Sequence, residues 1–283
     1  MSTTVSAEAA KQEIELTAGR IRYREAGEGP ALVFVHGYLV DGRLWDQVVD
    51  ALADRFRCIA PDLPFGAHRI PMSPAADLSP TGMAAIVAEL IERLELDDVT
   101  LVGNDSGGAV SQVLVTTRPA HVGRLVLTNC DTHENFPPGI FKALPPLAKL
   151  PGSTWLMLQP MRIKALSRFS FAPFSKAMPA EYVAAWSAGP FSSAGVRRDL
   201  GKVTVGMSKR YTLAAAEALR GSQLPILLAW APGDRFFPMR YPERLASEAG
   251  NARIVEIEGS RTFVPLDQPA RLAAEIAQFA GTA

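Results

Sequence analysis

A short turn between an apolar run and a stretch of small residues constrains the fold of this chain more than any other feature. The apolar run Val99–Val102 leads into Gly103–Gly107 (GNDSG), and the residues after it have helical spacing. Small residues two positions before and after the central one let a strand and a helix approach closely, so the central side chain stands out at the strand tip. Ser106 cannot take that place, because Asn104 would then occupy one of the small positions. The sequence therefore predicts a strand, a sharp turn and a helix that present Asp105.

Strand-like and helix-like stretches alternate along most of the chain. We expect helices over Leu44–Ala53, Gly82–Leu94, Gly107–Thr117, Arg240–Ala249 and Pro269–Phe279. We expect strands over Ile14–Leu16, Arg20–Arg24, Ala31–Val35, Arg57–Ala60, Val99–Val102, Arg124–Asn129, Pro225–Trp230 and Arg253–Ile257. This alternation predicts an α/β fold with a mostly parallel eight-stranded sheet flanked by helices. Ligands bind at the carboxyl ends of the strands in such sheets, so the chemistry should lie there.

The alternation stops in one long central segment. From about Asp131 to Ser222 the sequence is rich in Pro, Phe, Trp, Tyr and Met, and it shows helical patches but no clear strand. Such a break predicts a helical insertion over one edge of the sheet. We therefore expect a core domain of residues 1–131 and 223–283 and a helical cap, or lid, of residues 132–222.

Composition argues against several functional classes. The 283 residues include 29 Lys+Arg and 29 Asp+Glu, so the chain lacks the basic excess that nucleic-acid binding demands. No apolar run reaches the length of a membrane span, and the first residues do not resemble a signal peptide. Cys58 and Cys130 lie in apolar runs and are expected to be reduced and buried. These features predict a cytoplasmic protein with a small-molecule substrate, no nucleic-acid or membrane partner, and no metal or other cofactor.

The turn and four further segments resemble the α/β-hydrolase superfamily over nearly the whole chain. The four segments are His36-Gly37, Pro61–Gly66, Gly233-Asp234 with Phe237-Pro238, and Phe263–Pro265 with Asp267–Pro269. An aspartate at the turn is similar to the epoxide hydrolases and haloalkane dehalogenases, in which it attacks carbon and forms an alkyl-enzyme ester. The resemblance implies an α/β-hydrolase fold with Asp105 as nucleophile. It also implies an oxyanion hole formed by the backbone N–H groups of Tyr38 and Ser106.

The resemblance fails at one catalytic position. The family places a base histidine seven residues before the proline of the last helix, and that count from Pro269 gives Thr262, followed by the expected Phe263. The histidine activates the water that hydrolyses the ester, whereas threonine cannot accept a proton near neutral pH. Among the four histidines of the chain, His133 follows a predicted strand at the catalytic edge and is the candidate substitute base.

Several further residues are site candidates by position or by type. Asp234 is the expected acid partner and could bond Thr262 in the absence of the histidine, while Asp131 is a second candidate acid at the end of a strand. His36 is expected to support the oxyanion loop. The full set of candidate substrate-binding residues is His36, Asp131, Trp155, Tyr182, Trp186 and Tyr211. Epoxide hydrolases use two cap tyrosines to polarise the epoxide oxygen, but packing of the cap onto the core explains these aromatic residues equally well.

Three functions remain open. The first is hydrolysis of a small apolar molecule, of the epoxide hydrolase type, since haloalkane dehalogenases usually hold the halide with a tryptophan where this chain has Ser106. In the second, Asp105 is a general base in a lyase, cyclase or isomerase reaction, which requires no histidine. The third is a catalytically inactive protein that binds a ligand in the same pocket.

Overall fold

The computed structural model describes residues 11–281. The strands within this range are β1 (Gln12–Leu16), β2 (Gly19–Ala26), β3 (Ala31–Val35), β4 (Arg57–Pro61), β5 (Val99–Asp105), β6 (Val122–Cys130), β7 (Ile226–Trp230) and β8 (Ala252–Glu256). The helices are α1 (Asp46–Leu52), α2 (Pro80–Arg93), α3 (Ser106–Thr117), α4 (Leu144–Ala148), α5 (Ser153–Leu158), α6 (Lys164–Phe171), α7 (Ala180–Ser192), α8 (Ala194–Gly206), α9 (Lys209–Leu219), α10 (Arg240–Glu248), α11 (Val264–Asp267) and α12 (Pro269–Ala280). Three 3-10 turns cover Gly42–Trp45, Gly139–Ala143 and Gln159–Arg162.

The strands of the described range form one sheet in the order β1-β2-β4-β3-β5-β6-β7-β8. The pairs β1-β2 and β2-β4 are antiparallel, and all later pairs are parallel. The expected eight-stranded, mostly parallel sheet with flanking helices is therefore confirmed.

Helices cover both faces of the sheet, which explains the unbroken apolar runs of its central strands. In β3, Leu32 and Phe34 point into the core on one face, and Val33 and Val35 point into the core on the other. All four of these side chains are fully buried. Because neither face of the central strands meets solvent, polar side chains gather at the strand ends, where the site lies.

The segment between β6 and β7 is helical, as the break in alternation predicts. Its last helix, α9, packs against α3 and α10 beside the sheet. The division into a core of residues 1–131 and 223–283 and a cap of residues 132–222 stays a prediction. That cap includes α9, although α9 contacts helices of the core.

The sequence-based expectations about a signal peptide, a membrane span and the two cysteines can be compared with the structure in part. The N-terminal segment examined for a signal peptide falls largely outside the described residues. No helix in the described part of the chain is long and apolar enough to cross a membrane. Cys58 and Cys130 are buried free thiols, and burial raises the pKa of both.

Candidate active site

Asp105 stands at the junction of β5 and α3 in a strained backbone conformation. Its φ and ψ are 52° and −131°, a combination that costs energy for any residue other than glycine. The neighbouring glycines are required by close contacts. A Cβ on Gly107 would lie 2.3 Å from the carbonyl oxygen of Val35, and one on Gly103 would lie 2.6 Å from Oγ of Ser111. The turn predicted from the sequence therefore holds the Asp105 side chain at the carboxyl end of the sheet.

Backbone N–H groups hold one side of the Asp105 carboxylate. The N–H of Tyr38 donates to Oδ2 at 2.9 Å, and the N–H of Ser106 also stabilises the charged form. Gly37 leaves room for this contact, because a Cβ there would lie 2.1 Å from Oδ2. The two N–H groups are the ones assigned to an oxyanion hole by the resemblance.

His36 supports the loop that carries Tyr38 and does not line the cavity. Its Nε2 accepts a hydrogen bond from the N–H of Leu63 at 2.8 Å, and its Nδ1 lies 3.0 Å from the carbonyl oxygen of Gly37. Burial lowers the pKa of His36 to about 4, so the ring is neutral and Nδ1 carries the proton. Of the two expectations for His36, the structure favours support of the oxyanion loop over substrate contact.

Thr262 and Asp234 form a hydrogen-bonded pair at the position where the resemblance places a catalytic histidine. Oγ1 of Thr262 lies 2.7 Å from Oδ2 of Asp234, and both residues are buried. The Asp234 carboxylate also accepts hydrogen bonds from the side chain of Asn129 at 3.1 Å and from the N–H groups of Phe236 and Phe237. Burial raises the pKa of Asp234 despite these donors.

Asn104 anchors the loop that carries Thr262. Its side-chain amide donates to the carbonyl oxygen of Thr262 at 2.7 Å and to Oγ1 of Thr128 at 2.8 Å. The residue directly before Asp105 therefore sets the position of Thr262 by a bond that spans 158 residues of sequence.

Asp131 lies behind the turn and is fully buried. Its Oδ2 accepts a hydrogen bond from Oγ of Ser106 at 3.1 Å, and its Oδ1 has no hydrogen-bond partner among residues 11–281. Burial and the nearby Asp105 raise the pKa of Asp131 well above its usual range. Asp131 contacts Ser106, whereas Asp234 contacts Thr262, so Asp131 fits the role of catalytic acid partner less well than Asp234 does.

Burial also raises the pKa of Asp105, to about 7, with a further upward contribution from the charge of Asp234. The N–H groups of Tyr38 and Ser106 act in the opposite direction. Near neutral pH, Asp105 is thus poised between a carboxylic acid and a carboxylate, as reactive carboxyl groups often are.

A cavity of about 260 Å³ opens in front of Asp105. Its wall beside the sheet includes Tyr38, Leu39, Ser106 and Phe263. Its apolar wall from the inserted segment includes Phe141, Met157, Phe171, Phe174, Leu200 and Met207. Among the described residues that line it, Asp105 is the one with a charged side chain. The volume and the lining suit a small, largely apolar organic molecule.

The structure does not bring His133 to this cavity. Its ring lies between Glu248, with Nε2 to Oε2 at 3.0 Å, and Oγ1 of Thr132, 3.1 Å from Nδ1. The side chain is buried and is absent from the cavity lining. The expectation of His133 as substitute base is therefore corrected: Glu248, at the end of α10, holds the ring away from Asp105.

The four aromatic residues predicted to bind substrate also lie outside the cavity wall. Trp155 is half exposed, and Trp186 is buried with its indole N–H donating to Oδ1 of Asp41 at 2.8 Å. The hydroxyl of Tyr182 donates to Oδ2 of Asp46 at 3.2 Å. Tyr211 packs against the core beneath the guanidinium group of Arg210. These contacts favour the packing interpretation over substrate binding.

Sequence reasoning missed two kinds of functional residue. Asn104 and Asn129 hold Thr262 and Asp234 in place. The sequence feature that could have identified these two asparagines is their position at the ends of adjacent strands. The apolar cavity wall carries no motif, except that Phe263 follows directly after Thr262.

Comparison with known proteins identifies the family of this chain. The profile of the alpha/beta hydrolase family matches residues 32–275. Haloalkane dehalogenase 2 of Mycobacterium bovis is 27% identical over 265 residues, which cover 91% of this chain and 90% of that protein. A soluble epoxide hydrolase of Corynebacterium sp. is 35% identical over 108 residues, which cover 38% of this chain and 37% of that protein.

Solved structures show the same fold. The epoxide hydrolase CorEH without ligand superposes with a TM-score of 0.79 at 21% identity and covers 96% of this chain and 98% of its own. An alpha/beta hydrolase fold protein from Burkholderia ambifaria gives a TM-score of 0.79 at 19% identity, with 96% and 98% covered. The fold and the family match lead to one conclusion: this chain belongs to the alpha/beta hydrolase family.

Proposed function

We propose that this protein is a hydrolase in which Asp105 attacks an electrophilic carbon of a small, largely apolar molecule, an epoxide above all. The observation that carries the proposal is the position of the Asp105 carboxylate. One oxygen is held by the N–H of Tyr38 at 2.9 Å, and the side chain borders the apolar cavity. A carboxylate fixed in this way keeps its second oxygen available for attack on carbon.

The relatives support an electrophilic sp³ carbon as the target. One is named a haloalkane dehalogenase and the other a soluble epoxide hydrolase. Ser106 stands directly after Asp105 and has no N–H on its side chain with which to hold a leaving halide, and its hydroxyl already contacts Asp131. An epoxide needs no halide site, because its leaving oxygen stays attached to the substrate.

Epoxide opening leaves an alkoxide that requires a proton. We assign this proton to the phenol of Tyr38, which lines the cavity and is more acidic than the aliphatic hydroxyls of Ser106, Thr154 and Ser170 in the same wall. The phenolic oxygen lies 2.7 Å from Oγ1 of Thr204, and burial raises the pKa of Tyr38 to about 12. The attack forms one bond from Asp105 to carbon, and the carbon–oxygen bond of the epoxide breaks.

Release of the ester requires a route for a proton that does not use histidine. The bond from Oγ1 of Thr262 to Asp234 supports a relay. A water molecule that attacks Cγ of Asp105 gives one proton to Oγ1 of Thr262, while the Thr262 proton moves to Asp234. The ester bond between Cγ and the substrate oxygen then breaks, and that oxygen takes the second proton of the water. Asp105 is left as a carboxylate, and the proton held by Asp234 returns to the Tyr38 phenolate through solvent. The raised pKa of Asp234 makes its carboxylate a better base than an exposed one. Because this relay is weaker than an imidazole base, release is expected to be the slow step.

A single-turnover experiment in heavy-oxygen water tests the nucleophilic role. The protein, in excess over a panel of alkyl and aryl epoxides, is quenched and analysed by mass spectrometry of the diol and of the peptide containing Asp105. Nucleophilic attack places the heavy oxygen in Asp105 and an ordinary oxygen in the first diol formed. An alkylated Asp105 peptide also supports the proposal. Heavy oxygen in the first diol with none in Asp105 would mean direct attack by water and would refute it.

The pKa of Asp105 favours a second candidate function, general-base catalysis. A buried carboxylate with a pKa of about 7 beside two N–H donors can remove a C–H proton from a substrate that delocalises the negative charge left on carbon onto an oxygen. The reaction would be an elimination, cyclisation or isomerisation. Incubation of small ketones in deuterium oxide tests it, because wild type would introduce deuterium and Asp105→Asn would not. Labelled Asp105 in the heavy-oxygen experiment would exclude this candidate.

A further inference from the structure

Exposed apolar side chains are concentrated on one part of the inserted segment. Of the ten large apolar side chains exposed within the described residues, eight belong to residues 140–169. The exposed fractions reach 81% at Ile140, 75% at Phe169 and 66% at Leu156. Patches of this kind on a protein surface mark an interaction site more often than scattered single residues do.

The charged side chains in and around this segment are all positive. Residues 135–180 contain six basic residues and no acidic residue, although the whole chain is neutral. The six are Lys142, Lys149, Arg162, Lys164, Arg168 and Lys176, all of them exposed. Within the described part of the chain none of them forms an ion pair. Cations without carboxylate partners remain available to an anionic surface.

We call the exposed side chains of residues 140–176 the basic apolar face. Helices α4, α5 and α6 contact one another in sequence order through the 3-10 turns, and they pack inward against α7 and α8. Their inner sides supply Leu144, Met157 and Phe171 to the cavity wall. The exposed residues Pro160 and Ser170 also line the cavity, so the cavity reaches the surface within this face.

We propose that the basic apolar face docks on an anionic lipid bilayer, with apolar side chains in the interface and the six cations against the headgroups. Interfacial helices combine these two features, since apolar burial and attraction to anionic lipid both contribute to binding. Trp155, 49% exposed on α5, is of the type enriched at bilayer interfaces. Docking in this orientation would open the cavity toward a membrane-dissolved substrate.

Charge favours lipid over a second copy of the chain as the partner. In a two-fold symmetric dimer the same patch contacts itself, so the six cations of one copy would meet six of the other. Like charges at an interface oppose association, whereas an anionic bilayer attracts them. Peripheral docking also revises the expectation of no membrane partner, which rested on the absence of a membrane-spanning segment and not on surface chemistry.

Vesicle co-sedimentation of the full chain tests the proposal without any assay of activity. Vesicles of phosphatidylcholine alone are compared with vesicles containing about one-third phosphatidylglycerol, at about 0.05 M and 0.5 M salt. We expect binding to the anionic vesicles that weakens at high salt. Lys164→Glu/Arg168→Glu should weaken binding by at least about 25-fold, since each cation contributes about fivefold near an anionic surface. Leu156→Ser/Phe169→Ser should weaken it by about tenfold or more.

Matched controls lie outside the face. Arg118→Glu/Arg271→Glu changes charge equally on the core, and Leu213→Ser removes an exposed apolar side chain elsewhere. Thermal melts of every variant confirm folding. Failure to bind anionic vesicles at low salt overturns the proposal, as does equal loss in the control variants. A dimer in solution that Phe169→Ser dissociates would also overturn it, because a second copy would then cover the face.

Discussion

The hydroxyl group of Thr262 lies 2.7 Å from Oδ2 of Asp234, so this buried carboxyl group has a hydroxyl partner at the position where a catalytic histidine was expected. Asn104 holds the backbone of Thr262, and Asn129 holds Asp234, which fixes the pair from two adjacent strands. The site is therefore organised around an aspartate–threonine pair, and no imidazole is found among the described residues that line the cavity. The predictions below follow from this arrangement.

Replacing Thr262 with histidine should accelerate ester release. An imidazole beside Asp234 is oriented and charge-balanced as a general base, a role that contributes about 10² to 10⁴-fold to rate. The measurement is the rate at which an alkylated Asp105 peptide disappears after a pulse of epoxide. Thr262→Val keeps the shape of the side chain but lacks the hydroxyl, so it should slow release. Unchanged release in both folded variants would contradict the Thr262–Asp234 relay.

The rate of Asp105 alkylation should depend on pH with one inflection near 7. The attacking form is the carboxylate, and the pKa of Asp105 is raised to about 7 by burial. We expect the rate to rise about tenfold per pH unit below that value and to level off above it. Intact-protein mass spectrometry at a series of pH values measures the rate. A rate that is flat from pH 5 to 9 would mean that Asp105 is ionised throughout.

Stability should also depend on Asp105, with a defined sign. Its pKa is 3.8 in the unfolded reference and about 7 in the folded protein, so the folded state binds more protons between these values. The stabilising contribution of the Asp105 proton is therefore fully present below pH 4 and is lost as the pH rises through about 7. Asp105→Asn removes this loss and should stabilise the protein at pH 8 by up to about 4 kcal/mol.

Thermal melts of Asp105→Asn and wild type at pH 4.5 and pH 8 check this prediction. The gap in Tm between them should widen at pH 8. Asp54→Asn, at an exposed site in the turn after α1, serves as the control and should show no such widening. If the difference in Tm between Asp105→Asn and wild type became smaller as the pH rises, the pKa of Asp105 would not be raised in the folded protein.

Gly37 should be intolerant of a single methyl group. A Cβ there would lie 2.1 Å from Oδ2 of Asp105, so the carboxylate must leave its place beside Tyr38. Displacement of a reacting group by about 1 Å costs on the order of 10²-fold in rate, which we expect for Gly37→Ala in the alkylation assay. Gly233→Ala is the matched control, because a Cβ there meets no atom within 4 Å. Equal rates in the two variants would argue against this carboxylate position.

Local signals account for the parts of the site that could be predicted. Asp105 was recognisable because glycines at fixed distances on either side permit only one kind of strand-to-helix turn. Thr262 was identified by counting from Pro269, and Tyr38 by its place after His36-Gly37. The assignment of His133 failed because its distance from Asp105 depends on Glu248, which lies 115 residues away in sequence.

The sequence by itself determined the order of strands and helices and the presentation of Asp105, since periodicity and glycine spacing act over a few residues. The tertiary structure decided the rest. It brought Thr262 to Asp234, turned Tyr182 and Trp186 toward Asp46 and Asp41, and left eight large apolar side chains of residues 140–169 exposed. The physical reason is that hydrogen bonds and side-chain packing between residues far apart in the chain set these positions, and no local pattern encodes them.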